Sequence, residues 1–272
     1  MTDTEGKEMS FLAHLEELRW HLVRSFVAIV IVAITVFIFQ KEIYENFLLA
    51  HRDPNFLTYR AFCNFFSAFG VESGFCNIEF KGDLQSLKVT QQFMNSIWTS
   101  LILGLIVAFP YVLWEVWRFI APGLHEQEVK KSRGFILIAS LLFFVGVLFS
   151  FFVILPMSVY FFYNYEITDM IQNQFTMDSH IGLVTNTLLG VAIMFELPVI
   201  IYFLSKIGLV TPAFLKKHRK HALVLVLILA AIITPPDIAS QVIVSIPILI
   251  LYEISIKVSK RVIKNQEKKY GK

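Results

Sequence analysis

Long apolar runs decide what this chain can fold into. Five stand out, at about 22–39, 93–113, 134–155, 181–204 and 221–256. A helix needs about 20 apolar residues to cross a hydrocarbon layer about 30 Å thick. No water reaches the backbone there, so each run must satisfy its own N–H and C=O groups as a helix. The last run is broken by Thr234-Pro-Pro-Asp237. Two adjacent prolines remove two donors and block helix continuation. A tight turn there divides the run into spans at 221–233 and 242–256. The predicted fold is therefore an all-α membrane protein with six transmembrane helices. Composition agrees: 17% of the 272 residues are charged, against about 25% in a typical soluble domain. The first ten residues are polar and no small-residue cleavage site follows the first run, so that span is expected to stay as an anchor.

Lys and Arg set the orientation. With six spans, both termini and two of the connecting loops share one side, and that side holds 19 of the 24 basic residues. The other five, Lys41, Arg52, Arg60, Lys81 and Lys88, lie in a single loop. The excess of positive charge on cytoplasmic loops predicts that both termini are cytoplasmic. A five-span chain would place the basic tail at 257–272 outside. The net charge of +3 is too small to suggest nucleic acid as a partner.

The outer loop at 41–92 is the largest segment between spans and is expected to be periplasmic. It carries Phe56, Phe62, Phe65, Phe66, Phe69 and Phe75, more aromatics than a floppy linker holds. A small ordered cap is predicted. Cys63 and Cys76 lie in it. A disulfide and two free thiols are both compatible with their spacing, which does not test geometry. The next outer segment contains MSVYFFYNYEITDM, read as a helix lying in the headgroup zone. The last two spans are short. Thirteen residues at 221–233 cover roughly 20 Å, so either flanking lysines snorkel or the bilayer thins.

Acids at one end of the chain are harder to explain by topology. Residues 10–25 read SFLAHLEELRWHLVRS. Phe11, Leu15, Leu18 and Leu22 share one helical face, and His14, Glu17, His21 and Arg24 share another. Glu17 can pair locally with His21 or Arg24, or serve a cationic ligand at the membrane surface. Glu126 and Glu128 precede Lys130, Lys131 and Arg133. Glu128 can simply occupy the first turn of the third helix, where the dipole favours acids. Glu115 falls at the cytoplasmic end of the second span, where water is expected to reach it. Glu196, in VAIMFELPVIIYF, lies well inside the fourth span and must be protonated, paired or turned to a protein partner. Glu253 is within reach of Lys257 at i+4. Thr234 and Gln241 flank the Pro-Pro turn and can bond another helix or another chain. No enzyme motif, phosphate loop or metal cluster is present, so no catalytic residue, cofactor or metal is expected.

Four of these segments together resemble one family. HLEELRWHL, RFIAPGLHEQE, MFELP and TPPDIASQ, in that order along nearly the whole chain, are similar to TatC, the membrane receptor subunit of the twin-arginine protein translocase. The outer loop with its two cysteines is the part least like the family. The resemblance implies a role in moving folded proteins across the cytoplasmic membrane with the proton gradient. It implies a binding site for twin-arginine signal peptides at Glu17, Arg19, Phe119, Pro122 and Glu128. Two carboxylates suit two guanidinium groups, since each accepts a forked pair of bonds; Glu16 is a weaker candidate. It also implies contacts through Glu196, Thr234 and Gln241 with the single-span partners TatA and TatB, and self-association within the complex among membrane lipids.

A small proton- or ion-coupled secondary transporter is the competing reading, with Glu196 and Glu253 as ligands. It predicts matching broken helices in two halves, and the sequence has one Pro-Pro break without a counterpart.

Overall fold

The computed structural model describes residues 11–70, 74–80, 83–120, 132–168, 170, 173–233 and 238–270. In chain order its helices are α1 (Phe11–Ile38), α2 (Gln40–Ile43), α3 (Leu57–Ala68), α4 (Gln91–Ile120), α5 (Ser132–Phe149), α6 (Leu155–Asn164), α7 (Met177–Phe195), α8 (Leu197–Lys206), α9 (Pro212–Lys217), α10 (Arg219–Ile233) and α11 (Ile238–Tyr270). Two-residue strands β1 (Leu84–Gln85) and β2 (Phe175–Thr176) pair in parallel. Among the described residues, five helical stretches are long and apolar enough to cross a membrane: Leu15–Ile38, Gln91–Ile120, Ile136–Asn164, Met177–Lys206 and Gln241–Gln266. They correspond to the first four apolar runs and the second half of the fifth.

The chain divides into two compact units. One comprises Met1–Ile38 and Ser100–Ser140; the other comprises Phe39–Thr99 and Leu141–Lys272. In the first, α1 and α4 approach closely at Gly104. A Cβ there would lie 2.9 Å from the Ile29 carbonyl and 3.0 Å from the Ala33 Cβ. Small residues let membrane helices touch backbone to backbone, where dispersion replaces the absent hydrophobic drive. In the second unit, Ile154, Val191, Phe195, Val226, Ala230, Val244, Ile248 and Leu251 form a buried cluster.

Helix ends depart from the sequence reading in three places. The second run does not close at about 113, because the helix continues through Pro110 to Ile120. The third run does not end at Pro156 either. A π turn at Ser150–Ile154 precedes the proline, and α6 carries the helix on to Asn164. The MSVYFF part of the supposed interfacial helix is therefore the end of this span. Third, only one of the last two helices is short. α10 has 15 residues, whereas α11 runs for 33 and absorbs the basic tail as far as Tyr270. Packing explains the extension. The Ser205 hydroxyl donates to Ser259 at 2.7 Å, and the Gln266 amide donates to the Lys206 carbonyl at 2.8 Å.

The cap contains α3, and the means by which its described residues attach to the span is specific. In the π turn the Leu155 N–H reaches the Ser150 carbonyl, five residues back. Pro156 follows and has no N–H. The carbonyls five and four residues before it, Phe151 and Phe152, lose their helical donor. His51 Nε2 bonds the first at 2.8 Å, and the Thr58 hydroxyl donates to the second. The Tyr59 hydroxyl bridges the Pro156 and His51 carbonyls at 3.0 and 2.9 Å. Burial holds the His51 ring neutral, with its pKa down at about 4. Cys63 and Cys76 are joined by a disulfide, with their Cα atoms 4.9 Å apart.

Candidate functional site

In the first unit the polar stripe of α1 meets the end of α4. Glu115, expected to be wet, is only 1% exposed. A lone buried carboxylate is costly, and this one is surrounded by donors. His21 Nδ1 lies 2.5 Å from its Oε2, Arg24 Nη1 3.9 Å from the same oxygen, and Arg118 Nη1 3.4 Å from Oε1. The His21 ring also meets Phe119 edge-on, with centroids 6.1 Å apart. One imidazole thus joins α1 to a carboxylate and to an aromatic residue on α4.

This network bears on the local pairing of Glu17. His21 and Arg24, its available local partners, are both turned to Glu115. Glu17 is half-buried and makes no ion pair among the described residues. Arg19 is exposed, lies 3.8 Å from Glu16 and stacks over Trp20. Glu16 is therefore beside a cation of its own helix. Phe119 lies in the last turn of α4. Pro122 and Glu128 fall outside the described residues. Of the expected site residues, Glu17, Arg19 and Phe119 are therefore the described ones on α1 and α4, and the contacts of His21 with Glu115 and Phe119 join these two helices. Neither His21 nor Glu115 was picked out for this role from the sequence. The signal available was an acid on a span end, and its partner lies 94 residues away.

In the second unit Glu196 sits where α7 gives way to α8. Pro198 follows, so the helix breaks and restarts, and the Glu196 carbonyl accepts from the Val199 and Ile200 N–H groups at 2.9 and 3.0 Å. The side chain is buried, and Oε1 has no hydrogen-bond partner among the described residues. Its neighbours in sequence, Phe195 and Leu197, belong to the apolar cluster. Close behind them is Gly146, where a Cβ would lie 2.9 Å from the Ala192 Cα and from the Phe195 Cβ. An unpaired polar atom in such surroundings costs stability, and a donor from another helix would relieve that cost. The Gln241 amide donates to the Leu227 carbonyl at 3.2 Å and ties α11 to α10. Thr234 falls outside the described residues. Glu253 pairs with Arg219 at 2.8 Å, replacing the expected pair with Lys257. Among the described residues, no group of three or more His, Cys, Asp or Glu side chains could hold a metal ion.

Comparison with known proteins follows the same lines. Residues 13–247 match the family described as Sec-independent protein translocase protein (TatC). The chain is 39% identical over 256 residues to the Sec-independent protein translocase protein TatC of Blattabacterium sp. subsp. Periplaneta americana, covering 94% of this chain and 96% of that one. It is 34% identical over 257 residues to the protein of the same description from Carboxydothermus hydrogenoformans, covering 94% and 95%. Among solved structures, a crystal structure of the twin-arginine translocase receptor TatC superposes with a TM-score of 0.68 at 31% identity, covering 92% of this chain and 99% of that one.

Proposed function

The chain belongs to the TatC family, and on that premise we propose that it is the receptor for twin-arginine signal peptides in a translocase that carries folded proteins across the cytoplasmic membrane on the proton gradient. One observation supports this most: Glu17 is left without an ion pair among the described residues while Glu115 holds the cations beside it. A carboxylate kept out of local pairing at a membrane edge is available to a guanidinium. Phe119 would supply an apolar contact beside it, and Glu128, with Pro122, would bring the second carboxylate from the loop after α4. Arg19 would hold Glu16 out of the way.

The receptor sits in the membrane with six spans, both termini in the cytoplasm and the 41–92 loop in the periplasm. The distribution of Lys and Arg supports this. α10 is the short fifth span, at roughly 22 Å for its 15 residues. Glu196 offers a hydrogen bond to a single-span partner, TatA or TatB, within the membrane. Thr234 and Gln241 flank a second contact for such a helix.

The test is binding of a labelled twin-arginine peptide to the purified full chain, against a twin-lysine peptide. Lysine keeps the charge and loses the fork. Glu17→Ala and Glu128→Ala should each weaken binding of the arginine peptide, with Glu196→Ala near wild type. Equal binding by all four proteins would show that the acids serve their own helices.

A further inference from the structure

α11 shows one continuous exposed face that changes character along its length. Val242, Ile246, Ile250 and Ile254 are each about half exposed on it. Lys257, Lys260, Arg261 and Lys264 follow, all exposed. At about 100° per residue, all eight fall within one arc of about 120°. The opposite face is fixed: Val244, Ile248, Leu251, Ser255 and Ser259 are buried. The Tyr252 hydroxyl donates to the Leu215 carbonyl at 2.9 Å, and the bonds of Ser259 and Gln266 to α8 brace the far end. The basic stripe is therefore held in place on a packed helix. Glu253 lies within the same arc, and the Arg219 guanidinium at 2.8 Å neutralises it.

We propose that this face is a binding site for an anionic phospholipid, with its acyl chains along Val242–Ile254 and its phosphate headgroup held by Lys257, Lys260, Arg261 and Lys264. The dimensions fit. Lys257 to Lys264 spans roughly 10 Å along the axis, and a headgroup layer is about 5–8 Å deep on each side of the hydrocarbon. Lysine stems cover the difference by snorkelling. A cluster of basic residues immediately beyond a span attracts anionic lipid. The apolar continuation on the same face selects a lipid over a soluble acidic peptide, which would leave the isoleucines unmatched. The inference rests on the proposed membrane placement only in requiring that α11 cross the bilayer.

The test is native mass spectrometry of the delipidated full chain, titrated with an equimolar mixture of phosphatidylglycerol and phosphatidylcholine of identical chains. Wild type should prefer phosphatidylglycerol by about tenfold. Combined Lys257→Gln, Lys260→Gln, Arg261→Gln and Lys264→Gln should bring the two lipids level. Lys41→Gln, Arg60→Gln and Lys88→Gln, removing charge from the cap and the segment after it, should behave as wild type. Absence of a preference in wild type, its survival in the first variant, or an equal loss in the second would overturn the assignment. Thiol labelling in vesicles separates this from the membrane placement, since both native cysteines are bridged. Ile250→Cys should be protected and Asn265→Cys reactive. Reactive Ile250→Cys means that α11 does not cross; protection without lipid preference means that the lipid site alone fails.

Discussion

The Thr58 hydroxyl donates to the Phe152 carbonyl, the acceptor that Pro156, four residues further on, has no N–H to reach. A helix-breaking residue in a span and a polar side chain in a distant loop are thus one feature. The cap supplies donors to the two carbonyls that the π turn and the proline together leave free.

Thr58→Val keeps the shape and removes the donor. The Phe152 carbonyl is then left unsatisfied in a buried position, at a cost of about 1–3 kcal/mol. Thermal unfolding in detergent should show a lower midpoint for Thr58→Val and a near-normal one for Thr58→Ser. An unchanged midpoint for the valine variant would mean that the carbonyl finds another donor.

The neighbouring bond makes the cap sensitive to acid. His51 is neutral in the closed cap, with a pKa of about 4 against 6.5 when free. An opened cap takes up a proton that the closed one excludes. The stabilisation is therefore complete above pH 6.5 and is lost as pH falls towards 4, by up to about 3 kcal/mol. Hydrogen exchange of the cap amides, followed from pH 7.5 to 4.5, should show opening grow more frequent over that window. His51→Gln retains a donor and does not titrate, so its profile should be flatter.

How far these features were legible depends on where the partner lies. Five of the six expected spans were readable because hydrophobic length is a local property. The cap was expected to be ordered from its phenylalanines, yet the sequence gives no sign that His51 and Thr58 serve Pro156, about 100 residues on. Glu115 is a case of the same kind: its position on α4 suggests water, whereas it is buried against His21, 94 residues away. The basic tail looked like a polar end because Gln266 and Ser259 reveal their packing only once α8 lies beside them. Spacing left the cysteines open, and the 4.9 Å Cα separation settles them as a bridge.

The disulfide should hold the cap together once formed. Its cysteines are 13 residues apart, and closing a loop of about that size removes roughly 3 kcal/mol of chain entropy from the open state. Cys63→Ser combined with Cys76→Ser should let protease cut the cap well before the spans, as should reduction of the wild type. Equal cleavage rates for the bridged and unbridged proteins would show that the aromatic contacts of α3, such as Phe62 with Phe75 at 5.4 Å, are sufficient.

Glu115 should act on signal-peptide binding from behind the site. Glu115→Ala leaves the His21 ring without its partner, which costs about 1–3 kcal/mol. The figure for breaking a fully buried ion pair, about 3–5 kcal/mol, is not reached, because the Arg24 and Arg118 side chains are 47% and 46% exposed and rehydrate. With α1 loosened from the end of α4, Glu17 and Phe119 lose their mutual placement, and the twin-arginine peptide should bind several-fold more weakly. Glu115→Gln still accepts a hydrogen bond and should fall between alanine and wild type. The decisive comparison is a double-mutant cycle with His21→Ala. Two residues in direct contact should show a coupling of about 0.5–3 kcal/mol in both stability and peptide affinity. Additive effects would mean that the pair holds neither the helices nor the site.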